Sequence, residues 1–511
     1  MRSKKAIKNI LSSLLLQLMI VICGLILPRA IIGTYGSNVN GLISSITQFL
    51  AYITLLEAGI GPVIKSVLYK PIANKDKAQI EKILKAAQKF FNVISYIFIA
   101  YLIILCFIYP ILVNNEFSFG YTVSLIIIIS ISTFSEYFFG MVYKLYLQAE
   151  QKTYITANIQ TLTVVLNTIF SVILIKIGAS IQIVKLVTAF IFVLRPILQN
   201  VYVKKKYNIN LKEVKEKYEL KQKWDGLAQH IAAVVHGNTD VTILTIFANT
   251  AEVSVYTVYL FVVNGVKNLV QAFTGGIDAT FGDMYVNNEH EKLNESFKNY
   301  EYFYYTIITI VFSCTLGLIL PFIQVYTKGI SDVNYYRPLF GYLIVCAEYM
   351  WAIRLPYSSI TLAVGHFKET QKGAWLEAII NIILSIVLVE KFGIIGVTIG
   401  TLVAMTIRTI EFMYHTSKYI LKRREIYSIL HILITILETM IICILIYILT
   451  KNITFISYLQ WIKYAIIAGV ISSSITILIN YIIYKKETKE TINMLKRNFL
   501  KRSKLIWKHI S

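Results

Sequence analysis

Charge is scarce in this chain. Asp, Glu, Lys and Arg make up 15% of its 511 residues, against about 25% in soluble domains, which must cover a surface. That excludes the roughly three soluble domains the length would otherwise suggest. Acid is scarcer than base, 28 Asp and Glu against 50 Lys and Arg, for a net charge of +22. In a soluble protein such a balance points to nucleic acid. Here the basic residues gather between apolar runs, where they act as membrane orientation signals and call for no nucleic-acid partner. Cysteine is rare too. Cys23, Cys106, Cys314, Cys346 and Cys443 all sit in apolar segments without metal-ligand spacing, so they read as buried thiols, with neither a disulfide framework nor a metal site. No glycine loop ends in Gly-Lys-Ser/Thr, so ATP drive has no support. His290-Glu291 opens a zinc-protease pattern that fails at Asn294.

What the chain has is apolar length. Hydrophobic residues are 56% of it and the mean hydropathy is +0.63. Runs of about 20 residues, enough to cross a bilayer, recur from end to end. A sliding window places about fourteen spans, centred near Met19, Leu50, Ile99, Ile128, Val165, Phe192, Val241, Val262, Ile310, Val345, Leu384, Met405, Leu437 and Ile471. The reading is an all-α polytopic membrane protein. Its basic start, Met1 to Lys8, imitates a signal peptide, but no small-residue cleavage site follows, so the first run is read as an uncleaved span.

Loops and tails at 1–8, 64–89, 144–152, 203–223, 285–299, 366–373, 415–426 and 485–511 hold 38 of the 50 Lys and Arg. The alternate set, Gly33–Asn38, Asn114–Gly120, Lys176–Ser180, Asn249–Glu252, Thr327–Asn334, Glu390–Phe392 and Lys451–Gln460, is short and nearly free of positive charge. By the positive-inside rule both termini are cytoplasmic, and no outer loop is large enough to fold as a domain. The basic tail from Lys485, with Trp507, suits the anionic inner leaflet.

A constant shift of 214 residues aligns several patches. Leu166-Asn167-Thr168-Ile169-Phe170-Ser171-Val172-Ile173-Leu174 falls on Ile380-Asn381-Ile382-Ile383-Leu384-Ser385-Ile386-Val387-Leu388. Glu57-Ala58-Gly59-Ile60-Gly61-Pro62 falls on Gln271-Ala272-Phe273-Thr274-Gly275-Gly276, and Ile32 and Val39 fall on Ile246 and Val253. Spans one to six then repeat as seven to twelve in the same orientation, a parallel repeat. The expected organisation is a six-helix bundle at 1–203, a basic linker at 204–225, a second six-helix bundle at 226–420, two extra helices at 421–484 and the basic tail at 485–511. Two such halves are expected to enclose a cavity that opens to either side.

The chain resembles the bacterial polysaccharide repeat-unit flippases (O-antigen, capsule or teichuronic type), in the superfamily that also holds multidrug extruders and the lipid II flippase. The resemblance covers the whole chain. It rests on Leu27-Pro28-Arg29, on Gly36-Ser37-Asn38-Val39-Asn40-Gly41-Leu42, on Glu57-Ala58-Gly59-Ile60-Gly61, on Gln148-Ala149 and on Asn238-Thr239-Asp240. Ala58 and Val255 depart from the pattern, where a larger apolar residue and a glycine are commoner. The resemblance implies twelve to fourteen helices in two bundles and transfer of a polyprenyl-pyrophosphate-linked oligosaccharide to the outer leaflet. No enzymatic activity is expected.

An ionisable group at mid-bilayer costs about 2.5–3.5 kcal/mol on insertion scales, so each such group is a functional candidate. Arg29 reads either as an interface anchor or as a fork gripping pyrophosphate. Lys267 sits at the centre of a polar stripe, Asn264, Lys267, Gln271, Thr274 and Asp278, and reads as a cavity cation or as one half of an ion pair. Arg354, two residues before Pro356, has both readings as well. Arg29, Lys267, Arg354, Asn264 and Gln271 form the candidate substrate set. Glu57, Asp240, His236 and Asp278 form the candidate coupling set, for H+ or Na+, with hydrogen-bonded packing as the alternative for His236 and Asp240. Gly61-Pro62 is the candidate hinge. Glu136, Glu348, Arg195 and Arg408 fall nearer span ends and read as structural.

Three functions compete. A flippase for lipid-linked oligosaccharides fits the mid-span cations, because its substrate is anionic. A drug/cation antiporter of the same superfamily should prefer an acidic cavity. A polytopic glycosyltransferase or polymerase should carry a substantial outer loop, which is missing. A polymerase and glycosyltransferases are expected as partners of the first.

Overall fold

The computed structural model describes residues 2–57, 59–113, 115–211, 214, 218, 227–274 and 277–490. Most of the expected linker and the tail from 491 onward lie outside the described residues. The rest is helical, with no strand among the described residues. In a bilayer core every backbone N–H and C=O must be satisfied within the segment, which leaves helices as the only open-chain solution.

The helices are α1 Arg2–Tyr35, α2 Ser37–Ala51, α3 Ile60–Ala73, α4 Lys77–Leu112, α5 Phe119–Ser135 and α6 Met141–Ala149. Then follow α7 Thr153–Lys176, α8 Ile181–Tyr207, α9 Leu227–Phe247, α10 Thr250–Gln271, α11 Ile277–Val286 and α12 His290–Tyr326. The last five are α13 Pro338–Ala363, α14 Gln371–Phe392, α15 Ile394–His415, α16 Glu425–Thr450 and α17 Tyr458–Ile483. Every one of the fourteen expected span centres falls inside a helix. Among the described residues, thirteen helices are long and apolar enough to cross a membrane, making this a multi-pass membrane protein. The exception is α9, whose 21 residues carry Gln229, His230, His236, Asn238 and Asp240.

The chain divides into two compact units, Met1–Thr257 with Gly329–Val333, and Val258–Lys328 with Asn334–Ser511. In the first, α1 packs on α7, α7 and α5 on α8, α4 on α5, α3 on α4 and α6, and α2 on α9. Its core runs through Leu42, Ile46, Ile64, Leu84, Phe91, Phe98 and Leu125, all fully or nearly fully buried. In the second, α14 and α13 pack on α15, and α13, α16 and α17 pack on α12.

The helices are apolar outward and more polar inward. On α17, Ser472, Thr476 and Asn480 are buried while Ile466, Val470, Ile477 and Leu478 are exposed, a pattern suited to lipid rather than water. Close approach is made by small residues. A Cβ at Gly396 would lie 2.3 Å from the Leu388 carbonyl oxygen, and one at Gly400 would lie 2.4 Å from Ser385 Oγ. These two glycines, four apart on α15, bring its backbone against α14, as small residues do in membrane helix pairs.

Three expectations change. The helix break falls just before Gly61-Pro62, the candidate hinge: Tyr52–Glu57 tightens into a 3-10 segment and the chain turns at Gly59, with φ of +80°. Pro62 is the third residue of α3, where a helix has no partner for its N–H in any case. The stripe from Asn264 to Asp278 is not continuous, because α10 ends at Gln271 and α11 starts at Ile277. The two breaks correspond under the 214-residue shift, so the repeat extends to its interruptions. Finally, much of the basic segments 64–89 and 285–299 is helical, with α4 starting at Lys77 and α12 at His290.

Candidate functional site

Within the first unit a cavity of about 500 Å³ opens among α1, the 3-10 segment, α5 to α8 and the turn joining α5 to α6. That turn, Glu136–Gly140, is a π-helical bulge, a distortion frequent at functional sites. It is held by Gly140, where a Cβ would meet Pro196 Cβ of α8 at 2.9 Å. Glu57 closes one wall and accepts a hydrogen bond from Tyr137. Glu136 accepts from Lys144 at 3.0 Å across the bulge. Arg195 donates from Nε to Thr163 Oγ1 at 2.7 Å, its guanidinium 3.9 Å from the centre of the Phe192 ring. The cavity therefore gathers two carboxylates, two cations and the amides of Gln148, Gln160 and Gln199. Glu136 and Arg195, expected as structural residues near span ends, line this cavity with Glu57.

The other coupling candidates lie elsewhere. Asp240 is buried in α9 and accepts from Tyr256 OH at 2.7 Å. His236 is one turn earlier on the same helix, and neither lines the cavity. The side chain of Asp278 lies outside the described residues. Arg29 is half-buried on α1, its Nη1 lying over Gly33 one turn on.

In the second unit, α13 carries Glu348, Trp351 and Arg354 at three-residue spacing, on one face. Lys267 of α10 reaches Glu348 at 2.7 Å and lies 4.6 Å from the centre of the Trp351 ring. Arg354 reaches Glu377 of α14 at 2.8 Å, and Arg408 of α15 approaches the other Glu377 oxygen at 3.2 Å. Arg408 also contacts Glu411 and donates to the Thr370 carbonyl at 3.0 Å. At 1% exposure Arg408 is among the most buried large side chains, although its sequence position read as a span end. Asn264 and Gln271 are exposed on α10. Lys267 and Arg354 are thus each held by a carboxylate, so the acid that the ion-pair reading required is Glu348.

A scan of protein-family models gives no match to this chain, and neither does a search of characterised proteins. Solved structures do match. A lipid II flippase MurJ in an inward closed conformation superposes with a TM-score of 0.63 at 16% identity, over 92% of this chain and 98% of that one. The likeness is one of fold. An inward-facing multidrug-resistance MATE family transporter of the MOP superfamily gives 0.55 at 15% identity, over 80% of this chain and 97% of its own. A MATE transporter in complex with MaD3S gives 0.51 at 16% identity, over 80% and 96%.

A second cluster, missed by sequence reasoning, joins α12 to the added helix α16. Glu301, 2% exposed, takes Arg423 Nη2 at 2.9 and 3.0 Å and His431 Nδ1 at 3.4 Å, and it accepts from Tyr357 OH. Arg423 lies in the link before α16, and nearby Glu301 and Tyr357 outweigh its burial and raise its pKa. These groups border a cavity of about 650 Å³ with Lys298, Tyr427, Tyr484 and Glu487. Only the spacing of Glu301 within a span-length run, the test applied to Glu57, could have singled it out.

Proposed function

We propose that this chain is an alternating-access flippase that moves polyprenyl-pyrophosphate-linked oligosaccharide repeat units from the inner to the outer leaflet of a bacterial cytoplasmic membrane. The product feeds assembly of a surface polysaccharide. The observation that carries the reading is the extent of the fold match. The lipid II flippase superposes over 92% of this chain, whereas the two MATE transporters superpose over 80%. The α16–α17 pair, Glu425–Ile483, is comparable in length to that difference.

The intramembrane charges support a large polar substrate. An anionic headgroup would compete with Glu348 for Lys267 and with Glu377 for Arg354, and charge-assisted bonds to a planar guanidinium are among the strongest a protein offers. Coupling is assigned to the carboxylates of the first unit, with Glu57 and Glu136 holding H+ or Na+ in the 500 Å³ cavity and Asp240 a further candidate. Ion and substrate then bias two states differently, which alternating access requires.

The experiment deletes the chain from its host. Lipid-linked repeat units should accumulate on the inner leaflet and the surface polymer should be lost, with Glu57→Gln restoring transport but not its dependence on the ion gradient. Full gradient dependence in both Glu57→Gln and Asp240→Asn would remove both from the coupling role. The acidic pair Glu57 and Glu136 also favours a second reading, a drug/cation antiporter. A deletion strain that keeps its polymer but becomes sensitive to cationic drugs would support it.

A further inference from the structure

Two helices of the first unit have their starts capped by distant acids. The start of α2 follows Gly36, at φ of +88°, and no side chain of its own N-terminal residue closes it. Asp332, in the segment after α12, accepts instead from Ser37 N at 2.7 Å and from Ser37 Oγ at 3.0 Å. The start of α10 is met by Glu116, in the segment after α4, which accepts from Thr250 N at 3.1 Å and from the Thr250 hydroxyl. The first N–H groups of a helix lack intrahelical partners and carry partial positive charge, so a carboxylate suits both places. Local caps are ordinary here: α4, α8 and α17 are closed by their own Asp76, Ser180 and Ser457, and α10 carries its own Asn249, accepting from Glu252 N at 2.8 Å, in addition to Glu116. The start of α7 is also met from a distance, Tyr154 N donating to Asn9 Oδ1 at 2.9 Å, but among the described residues a distant carboxylate caps only α2 and α10.

The arrangement is reciprocal. The 214-residue shift carries Gly36 onto Thr250, and the segment after α4 onto the segment after α12. An acid from the first repeat therefore caps a helix of the second, and an acid from the second caps a helix of the first. Between them Asn40 Nδ2 donates to Ser254 Oγ at 2.9 Å, and these two residues are themselves equivalent under the shift. Gly41 is packed so tightly that a Cβ there would lie 1.6 Å from the Thr250 carbonyl oxygen. All of these residues belong to the first unit, and Ser37, Glu116, Thr250 and Asp332 lie in segments nearly free of positive charge.

We propose that this crossed pair of caps is a latch closing the extracytoplasmic end of the transport path, with Asp332 and Glu116 as its positioning residues. The inference rests on the reading of the chain as an alternating-access transporter. The contacts exist only while the starts of α2 and α10 touch, so they favour one state of an equilibrium and are lost in the other. Their symmetry means that both caps break in the same movement.

The test uses the full-length chain, free of native cysteines, in intact cells. A cysteine at Asn40, now buried, reports opening by its rate of reaction with a membrane-impermeant maleimide. Loss of a typical helix cap shifts such an equilibrium about fivefold. Asp332→Asn and Glu116→Gln should each raise the rate by about that factor, and together by about the product, since the caps are separate contacts. Separately, Asn40→Cys with Ser254→Cys should form a disulfide that stops polymer export until reductant is added. Labelling unchanged within twofold in the double acid variant would overturn the latch. If the acid variants fail to fold, an oxidised cysteine pair that still exports would overturn it instead. Labelling needs no substrate: faster labelling without movement of lipid-linked oligosaccharide would uphold the latch and sink the substrate assignment.

Discussion

Removing the Glu377 carboxylate should cost this protein more than removing its partner Arg354. Its side chain, 6% exposed, lies between Arg354 at 2.8 Å and Arg408 at 3.2 Å, themselves 12% and 1% exposed. Glu377→Ala leaves two guanidinium groups facing each other in a low-dielectric interior. Breaking a buried pair by deleting one member costs about 3–5 kcal/mol, because the surviving charge is uncompensated. Arg408 keeps Glu411 and the Thr370 carbonyl, so the lower end, about 3 kcal/mol, is expected. Arg354→Ala leaves Glu377 with Arg408 and should cost about 1–2 kcal/mol, the range for a lost charged hydrogen bond. The double variant should be less damaged than the sum by about 1–2 kcal/mol. Melting of the purified chain in detergent, followed by tryptophan fluorescence over the same cycle, reads this directly. If Glu377→Ala melts at or above Arg354→Ala, the carboxylate is not the centre of the network and the reasoning fails.

Other consequences can be checked in the same preparations. Gly400→Leu places a side chain where even a Cβ would lie 2.4 Å from Ser385 Oγ, so α14 and α15 should separate and the folded yield should collapse; normal yield and melting would contradict that packing. Burial opposes ionisation of Glu487, but the hydrogen bond and charge of Lys298, with Lys486, outweigh it and hold the carboxyl below the usual range. A depressed folded pKa gives stability that is present above the unfolded value and lost as the pH falls through the folded one. Glu487→Gln should therefore lower melting slightly at pH 7, by less than about 1 kcal/mol because Lys298 is largely exposed, with the gap closing below about pH 4; a gap that widens on acidification would reverse the assignment. For orientation, single cysteines at Asn115 and Asn452 should label from outside intact cells and one at Asn208 should not.

The spans were legible because hydropathy sums over some twenty residues, so a few polar positions, even the five in α9, do not hide a helix. The 214-residue repeat was legible too, and it extends to the paired breaks near Gly59 and Phe273 and to the Asn40–Ser254 contact. The breaks themselves were misplaced. Proline draws attention to Pro62, yet at the third position of a helix it disturbs nothing, and the turn falls on Gly59. Pairing was illegible for a different reason. Lys267 and Glu348, or Glu301 and Arg423, are far apart in sequence, and nothing local specifies the partner. Arg195, Glu136 and Arg408 looked peripheral only because span ends were counted from a fixed window. The helices are longer than that window: Arg195 and Arg408 lie inside α8 and α15, and Glu136 opens the bulge through which α5 continues into α6.

The central claim is transfer of a lipid-linked oligosaccharide across a bilayer. Its most direct test reconstitutes the purified chain in proteoliposomes holding a fluorescent polyprenyl-pyrophosphate oligosaccharide. An ion gradient is imposed, and the fraction of headgroup reaching the opposite leaflet is followed by a membrane-impermeant quencher. The account predicts gradient-driven transfer that depends on the protein and falls in Lys267→Ala and Arg354→Ala, with Arg354→Lys only partly restoring it. Oligosaccharide that stays in its original leaflet while a cationic drug exchanges for protons would contradict the account.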